Sequence, residues 1–72
     1  MSKLIRNELI KSLMYRYRSE IQSNKATMLI YFNNPVGIGE HPDVMAAIEA
    51  EVTSIAQAHE KIEVINHYFL NR

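Results

Sequence analysis

Residues 33–43 read NNPVGIGEHPD, and this stretch decides how the rest of the chain folds. It contains both prolines and both glycines of the 72-residue protein, and it separates two long segments with helical periodicity. Proline blocks continuation of a helix, and glycine permits backbone conformations that other residues resist. We therefore predict two helices, near residues 2–33 and 42–70, joined by a connector at residues 34–41.

The residues at both ends of the connector favour these boundaries. Asn33 and Asn34 can end the first helix, because asparagine tolerates the left-handed conformation of a helix C-cap. Pro42 suits the first position of the second helix, and Asp43 just after it is favoured by the helix dipole. His41 would then lie near the N-cap.

The connector has three possible roles. Its alternation of apolar residues with Gly37 and Gly39 is typical of a structural turn that packs back onto the end of a hairpin. The same glycines, with His41 before a helix N-terminus, can contact an anionic ligand through backbone N–H groups, although Glu40 and Asp43 would repel phosphate. The acidic residues and His41 are also possible metal ligands, but the sequence offers no further ligands to complete a site.

The first helix has an apolar seam at heptad spacing, and Ser2 is a suitable N-cap. Its positions are Ile10, Met14, Tyr17, Ile21, Met28 and Phe32, widened by Ile5, Leu9 and Leu13. The run Met28–Phe32 alone could be a buried strand. Its phase with the preceding heptads, and the lack of a second candidate strand, favour helix.

The second helix has the most regular heptad pattern of the chain. The positions stepping alternately by four and three residues are Ile48, Val52, Ile55, His59, Ile62, Asn66 and Phe69. Folding antiparallel on helix 1 would bring His59 near the Tyr17 hydroxyl, a candidate hydrogen-bond partner. Small residues beside this seam would let another helix approach closely, namely Ala47, Ala50, Ser54 and Ala58.

A polar ridge runs along helix 1, opposite the predicted seam. Lys11, Arg18 and Lys25 recur every seven residues, with Tyr15 alongside. Cations aligned on a rigid element can cradle an anionic ligand, and a tyrosine ring can stack on it. The same pattern also fits a solvated face, or a face paired with glutamates of another helix.

Charge and composition exclude several classes of protein. The formal net charge is zero, which argues against a generic nucleic-acid or membrane binder. Residues 1–32 nevertheless have a net charge of +4 and residues 33–72 of −4, so the two halves attract each other within or between chains. With no cysteine, membrane-length apolar run or visible signal peptide, we expect a cytoplasmic protein.

No pattern of a catalytic or cofactor site is visible. His59, Glu63 and His67 follow each other at spacings of four residues, which allows a shared metal ion but is more typical of pairing on a helix surface. We find no nucleophile–base pair, phosphate-binding loop or zinc-protease motif. The sequence predicts neither enzyme activity, nor a cofactor, nor a metal.

Two amphipathic helices of this length cannot enclose their own apolar faces. A 72-residue chain is one small domain whose single core is marginal. We therefore predict an all-α antiparallel two-helix hairpin that assembles into a homo-oligomeric bundle, most simply a dimer forming four helices.

The stretch NNPVGIGEHPD, followed by a helix ending in EKIEVINHYF, resembles a motif of small helical proteins of tailed bacteriophages. The resemblance covers about half of the chain, Asn33 to Phe69. It implies a helical hairpin of viral origin in the host cytoplasm and carries over no catalytic residues. Some small helical phage proteins act as sponges that sequester nucleotide-type immune signals between their subunits.

Two functions follow as hypotheses. The first is a non-catalytic binding module that holds a small anionic, nucleotide-like ligand in pockets between subunits. Its candidate site residues are Lys11, Tyr15, Arg18, Lys25, Gly37, Gly39 and His41. The second is a structural or adaptor protein that binds a phage or host protein through its loop ends.

Overall fold

The protein folds as two antiparallel α-helices that pack along their length. The computed structural model describes residues 2–33 and 43–70, and no strand occurs within them. Helix α1 spans Lys3–Phe32 and helix α2 spans Val44–Ile65, continued by a π-helical turn at Asn66–Leu70. The all-helical architecture and the hairpin shape predicted from the sequence are therefore observed, and the run Met28–Phe32 is helical.

Helix α1 is capped at both ends by side chains. The Ser2 hydroxyl accepts a hydrogen bond from the Ile5 backbone N–H at 3.1 Å, as expected for a serine N-cap. At the other end, the Asn33 side-chain amide and backbone N–H both donate to the Leu29 carbonyl, at 2.8 and 3.1 Å. Asn33 ends the helix as predicted, but with φ of −104° and not in the left-handed conformation; Asn34, the other asparagine of that prediction, lies outside the described residues. The Asn33 side chain satisfies the exposed carbonyl instead.

Helix α2 begins two residues after the predicted start and ends in a wider turn. Asp43 is its N-cap, but the aspartate side chain makes no capping hydrogen bond. From Asn66 to Leu70 the helix continues as a π-helix, in which each turn holds more residues than an α-helical turn. The sequence analysis predicted an uninterrupted α-helix here.

The contact between the helices follows heptad spacing on both of them. On α1 most of the predicted seam faces α2, with Met14 buried and Ile10, Tyr17, Ile21 and Met28 half-buried. The predicted position Phe32 is wrong: it is 59% exposed, and Tyr31 is the half-buried residue at that end. On α2 the predicted seam is wrong in phase. Its isoleucines Ile48, Ile55 and Ile62 do face α1. The positions between and after them that are half-buried or buried are Glu51, Ala58 and Ile65, each one residue before a predicted position. The predicted positions Val52, His59, Asn66 and Phe69 are exposed.

This difference in phase has a steric reason. Ala58 is only 1% exposed, which makes it the most buried residue of the described chain. An alanine in the seam lets the two helix backbones come close together, whereas the larger His59 at the same level would hold them apart. The predicted line of small residues beside the seam is divided: Ala58 and the half-buried Ala47 belong to the contact between α1 and α2, whereas Ala50 and Ser54 are exposed.

Two polar contacts join the helices. The Arg6 guanidinium donates a 2.6 Å hydrogen bond to the Phe69 carbonyl, and the Lys61 ammonium lies 5.5 Å from the centre of the Tyr17 ring. The predicted partnership of His59 with Tyr17 is therefore wrong. His59 lies on the surface, 3.5 Å from the Glu63 carboxylate on the same helix.

The hairpin is long and thin. Its extents are 54 × 16 × 15 Å, and in the described residues only Met14, Ala58 and Ile65 are buried apolar side chains. The seam consequently divides the surface into two broad faces, each formed by both helices. Neither described helix combines the length and apolar character that crossing a bilayer requires.

Candidate functional site

Three of the predicted ligand-binding residues line one groove. Lys11, Tyr15 and Arg18 border an open groove of about 340 Å³ together with Asn66 and Leu70 of the π-helical turn. We call this the cationic groove, and the side of the hairpin that carries it the cationic face. Its volume is at the lower end of the range for small-molecule sites.

The spacing of these residues explains why they meet. Positions four and seven residues apart lie on one side of an α-helix, so Lys11, Tyr15 and Arg18 form a short row on α1. The row borders the interhelical seam, because Met14 and Ile10 also line the groove. The prediction that the ridge lies opposite the seam is therefore wrong. This location is what allows α2 to supply the second wall.

The electrostatics of the groove favour an anion. The Lys11 ammonium makes a 3.1 Å ion pair with Glu8, but both side chains are more than half exposed, so the pair is weak and open to exchange. No carboxylate of the described chain lies within ion-pair distance of Arg18. The carbonyl end of α2 lies nearby and carries about half a negative charge. The two cations together exceed the charges of Glu8 and of the helix end, so the groove keeps a small net positive charge.

The remaining predicted site residues are not brought to this groove. Lys25 continues the row, but it lies seven residues beyond Arg18, about 10 Å along the helix, and does not line the groove. Gly37, Gly39 and His41 lie outside the described residues, as does Glu40. The proposed roles of the connector in ligand or metal binding therefore stay predictions.

A second, polar groove was missed by the sequence analysis. It has a volume of about 390 Å³ and lies between the middles of the helices, on the side away from the cationic groove. Hydroxyl and amide side chains dominate its wall, with one charge of each sign: Ser19, Glu20, Ser23, Asn24, Ser54, Gln57 and Lys61. The available signal was the pair Ser19 and Ser23, four residues apart on α1, with Glu20 and Asn24 beside them.

The histidines on α2 make ordinary surface contacts. His59 pairs with Glu63, and the His67 ring packs edge-to-face on Tyr68 with 4.6 Å between ring centres. In the described parts of the chain, no three histidine or acidic side chains approach closely enough to hold a metal ion together.

The cationic groove thus offers two cationic donors, an amide, an aromatic ring and an apolar floor. Such a set recognises an anion attached to a flat or apolar group. Comparisons of the chain with protein-family models, curated proteins and solved structures find no match.

Proposed function

We propose that the protein is a small non-catalytic binding module that works as a homo-oligomer in the cytoplasm and holds a small anionic, nucleotide-like ligand in its cationic groove. The observation that carries this proposal is that Lys11, Tyr15 and Arg18 share one groove with Asn66. The cations would bind phosphate, the Tyr15 ring would stack on a base, and the Asn66 amide would bind a polar edge of the ligand.

The groove also refines where the ligand would bind. Sequence analysis predicted pockets between subunits, whereas the cationic groove is formed by α1 and the π-helical turn of one chain. The proposal is therefore one ligand per chain. The phage-type resemblance of residues 33–69 supports a viral protein acting in the host cytoplasm, as a sponge for a signalling nucleotide.

Ligand binding is tested by thermal denaturation with a panel of mono-, di- and cyclic nucleotides. A ligand that binds the folded state raises the melting temperature by mass action. Isothermal titration with the best nucleotide should give one site per chain. Arg18→Gln should weaken binding about 10- to 100-fold, because a charge-assisted hydrogen bond contributes about 1.5–3 kcal/mol.

Lys25→Gln is the matched control. It removes the same charge from the same row of α1, but outside the groove. This variant should change nucleotide affinity less than threefold, because a distant charge screened by salt contributes only about 0.5 kcal/mol to binding. Equal losses for both variants would show a diffuse charge effect and refute the groove as the site.

A second candidate function, an adaptor for a phage or host protein, has its own observation. Four large apolar side chains are exposed beside the connector: Leu29, Ile30 and Phe32 at the end of α1, and Met45 at the start of α2. Exposed apolar clusters mark protein-binding surfaces. If the protein is an adaptor, the nucleotide panel should not change its melting temperature, and a protein partner should co-purify with it. The double variant Phe32→Ser/Met45→Ser should lose this partner, whereas Arg18→Gln should keep it.

A further inference from the structure

The side of the hairpin away from the cationic groove carries an exposed apolar groove at the open end. Its volume is about 330 Å³, and its wall is formed by Leu9, Ile10, Leu13, Ile65 and Phe69, with Arg6 at the edge. We call this the apolar groove, and the surface around it the apolar face. The adjoining groove on the same face is lined by Leu13, Tyr17, Gln57, Glu60, Lys61, Val64 and Ile65, and it shares Gln57 and Lys61 with the polar groove beyond it.

The elongated hairpin has more surface than a compact chain of its mass. It exposes 5789 Å² of polar and apolar surface together, whereas a compact monomer of 8.4 kDa would expose about 4,600 Å². The difference of about 1,200 Å² follows from the shape and leaves room for the roughly 800 Å² that each partner buries in a stable protein–protein interface. Its apolar part at the apolar groove includes Leu9 and Phe69, which are 53% and 55% exposed. A second molecule docked along one face would remove an area of this size.

The charges indicate what that second molecule is. Residues 2–33 carry six cationic and two anionic side chains, and residues 43–70 carry one cationic and five anionic, giving +4 and −4. The Lys11–Glu8 ion pair and the His59–Glu63 contact each lie within a single helix. No direct ion pair of these residues therefore joins the basic helix to the acidic helix within the hairpin, and a second copy can supply such pairs.

We propose that the apolar face is the docking site for a second copy of this chain, related by a two-fold axis parallel to the helices. This axis places each apolar groove on its counterpart, places the polar groove of the same face on its counterpart, and packs α1 of one copy against α2 of the other. An axis across the helices would instead place α1 on α1 and juxtapose like charges. The inference rests on the homo-oligomer of the proposed function and names its interface.

This arrangement predicts specific contacts. A rotation about the long axis keeps the height of each residue, and the cross-helix contact of Tyr17 with Lys61 sets the register. Leu9 then packs near the partner's Phe69, and Arg16 lies near the partner's Glu60. Arg16 faces this side because it is seven residues from Leu9, a separation of two helical turns. The cationic grooves lie on the outer surfaces of the dimer, where they bind independently.

Sedimentation equilibrium over about 1–200 µM tests the face. The wild-type protein should be a reversible dimer, and Leu9→Glu should weaken dimerisation at least 100-fold because it puts two charges into the apolar contact. Leu29→Glu is the matched control. Leu29 is 59% exposed against 53% for Leu9, and the twenty residues between them turn the helix by about 200°. This variant should remain within about threefold of wild type.

A charge exchange tests the arrangement without risk to folding, since Arg16 and Glu60 are both exposed. Arg16→Glu and Glu60→Arg should each weaken the dimer roughly tenfold, because a two-fold dimer contains each contact twice. The two changes together should restore wild-type affinity to within about threefold. Arg18→Glu, the same charge change on the cationic face, should have little effect.

The outcomes separate this inference from the proposed function. A wild-type protein that stays monomeric at 200 µM overturns both the interface and the homo-oligomer. A dimer that Leu9→Glu leaves intact overturns the apolar face alone. If the double variant Arg16→Glu/Glu60→Arg loses as much dimer affinity as the two single variants lose together, the pairing of α1 with α2 of the partner is overturned. None of these results affects nucleotide binding, which is measured separately.

Discussion

Single residues at the open end of the hairpin decide whether the last turn of the chain stays packed. Arg6 is the one side chain of the described residues that donates a hydrogen bond from one helix to the other, to the Phe69 carbonyl. It also places a positive charge at the carbonyl end of α2, where the helix dipole favours it. Arg6→Gln should lower the free energy of unfolding by about 1 kcal/mol, measured by urea denaturation.

The loss should be local as well as global. Hydrogen exchange at residues 66–70 should accelerate in Arg6→Gln more than exchange in the middle of α2. Lys3→Gln removes an equal charge near the same end of the hairpin and leaves the Arg6–Phe69 hydrogen bond in place, so it controls for charge alone. Equal destabilisation by the two variants would contradict a specific role for Arg6.

Individual caps were predictable from the sequence to different extents. Ser2 acts as its residue type indicates, since a hydroxyl at a helix start has one local role. Asn33 ends its helix as predicted but through its side-chain amide, a choice between two local solutions that residue type does not decide. Arg6 could not be recognised, because its acceptor is 63 residues away and known only from the fold.

At the scale of the elements, the phase of the seam on α2 is the decisive feature. Ile65 is buried at 7% exposure, whereas Val52, a position of the predicted seam, is 48% exposed. Ile65→Ala should cost about 2–3 kcal/mol of stability, the lower part of the range for buried isoleucine because the seam is thin. Val52→Ala should cost less than about 1 kcal/mol. Thermal and urea unfolding at one fixed protein concentration measure both values.

The close approach of the helices at Ala58 gives a second prediction at this scale. Leucine at a position that is 1% exposed must push the helices apart, so Ala58→Leu should destabilise the fold by about 1–3 kcal/mol. Ala56→Leu makes the same change on the exposed side of α2 and should stay within about 0.5 kcal/mol of wild type. Tolerance of leucine at Ala58 would mean that the seam has the phase first predicted.

The elements were more predictable than their contact. Heptad spacing and the turn residues around Pro35 and Pro42 were sufficient for two helices, because both signals are local. The phase on α2 was not, because Ile48, Ile55 and Ile62 belong to both possible seams. Each seam mixes polar and apolar residues at the positions between and after them: Val52, His59 and Asn66 in the predicted one, and Glu51, Ala58 and Ile65 in the observed one. The cationic row was visible from spacing, but the walls contributed by Asn66 and Leu70 depend on the register between helices and on the π-helical turn.

For the whole molecule, folding and association should be one process. Few side chains are buried inside one hairpin, so the dimer supplies part of the stability of the folded state. The melting temperature of the wild-type protein should therefore rise by several degrees between about 5 and 200 µM, as mass action requires for a dimer. In Leu9→Glu the melting temperature should be lower and independent of concentration.

Salt separates the two forces proposed to hold the dimer together. Burial of Leu9, Leu13 and Phe69 in the apolar contact is insensitive to moderate NaCl. The attraction between α1 and α2 of the partner is screened by salt, because the Debye length falls from about 10 Å at 0.1 M NaCl to about 3 Å at 1 M. Dimerisation of the wild-type protein should weaken about tenfold over this range. In Arg16→Glu the same contact is repulsive, so added salt should strengthen its dimer. A wild-type dimer indifferent to salt would leave the apolar contact in place but contradict the pairing of the basic helix with the partner's acidic helix.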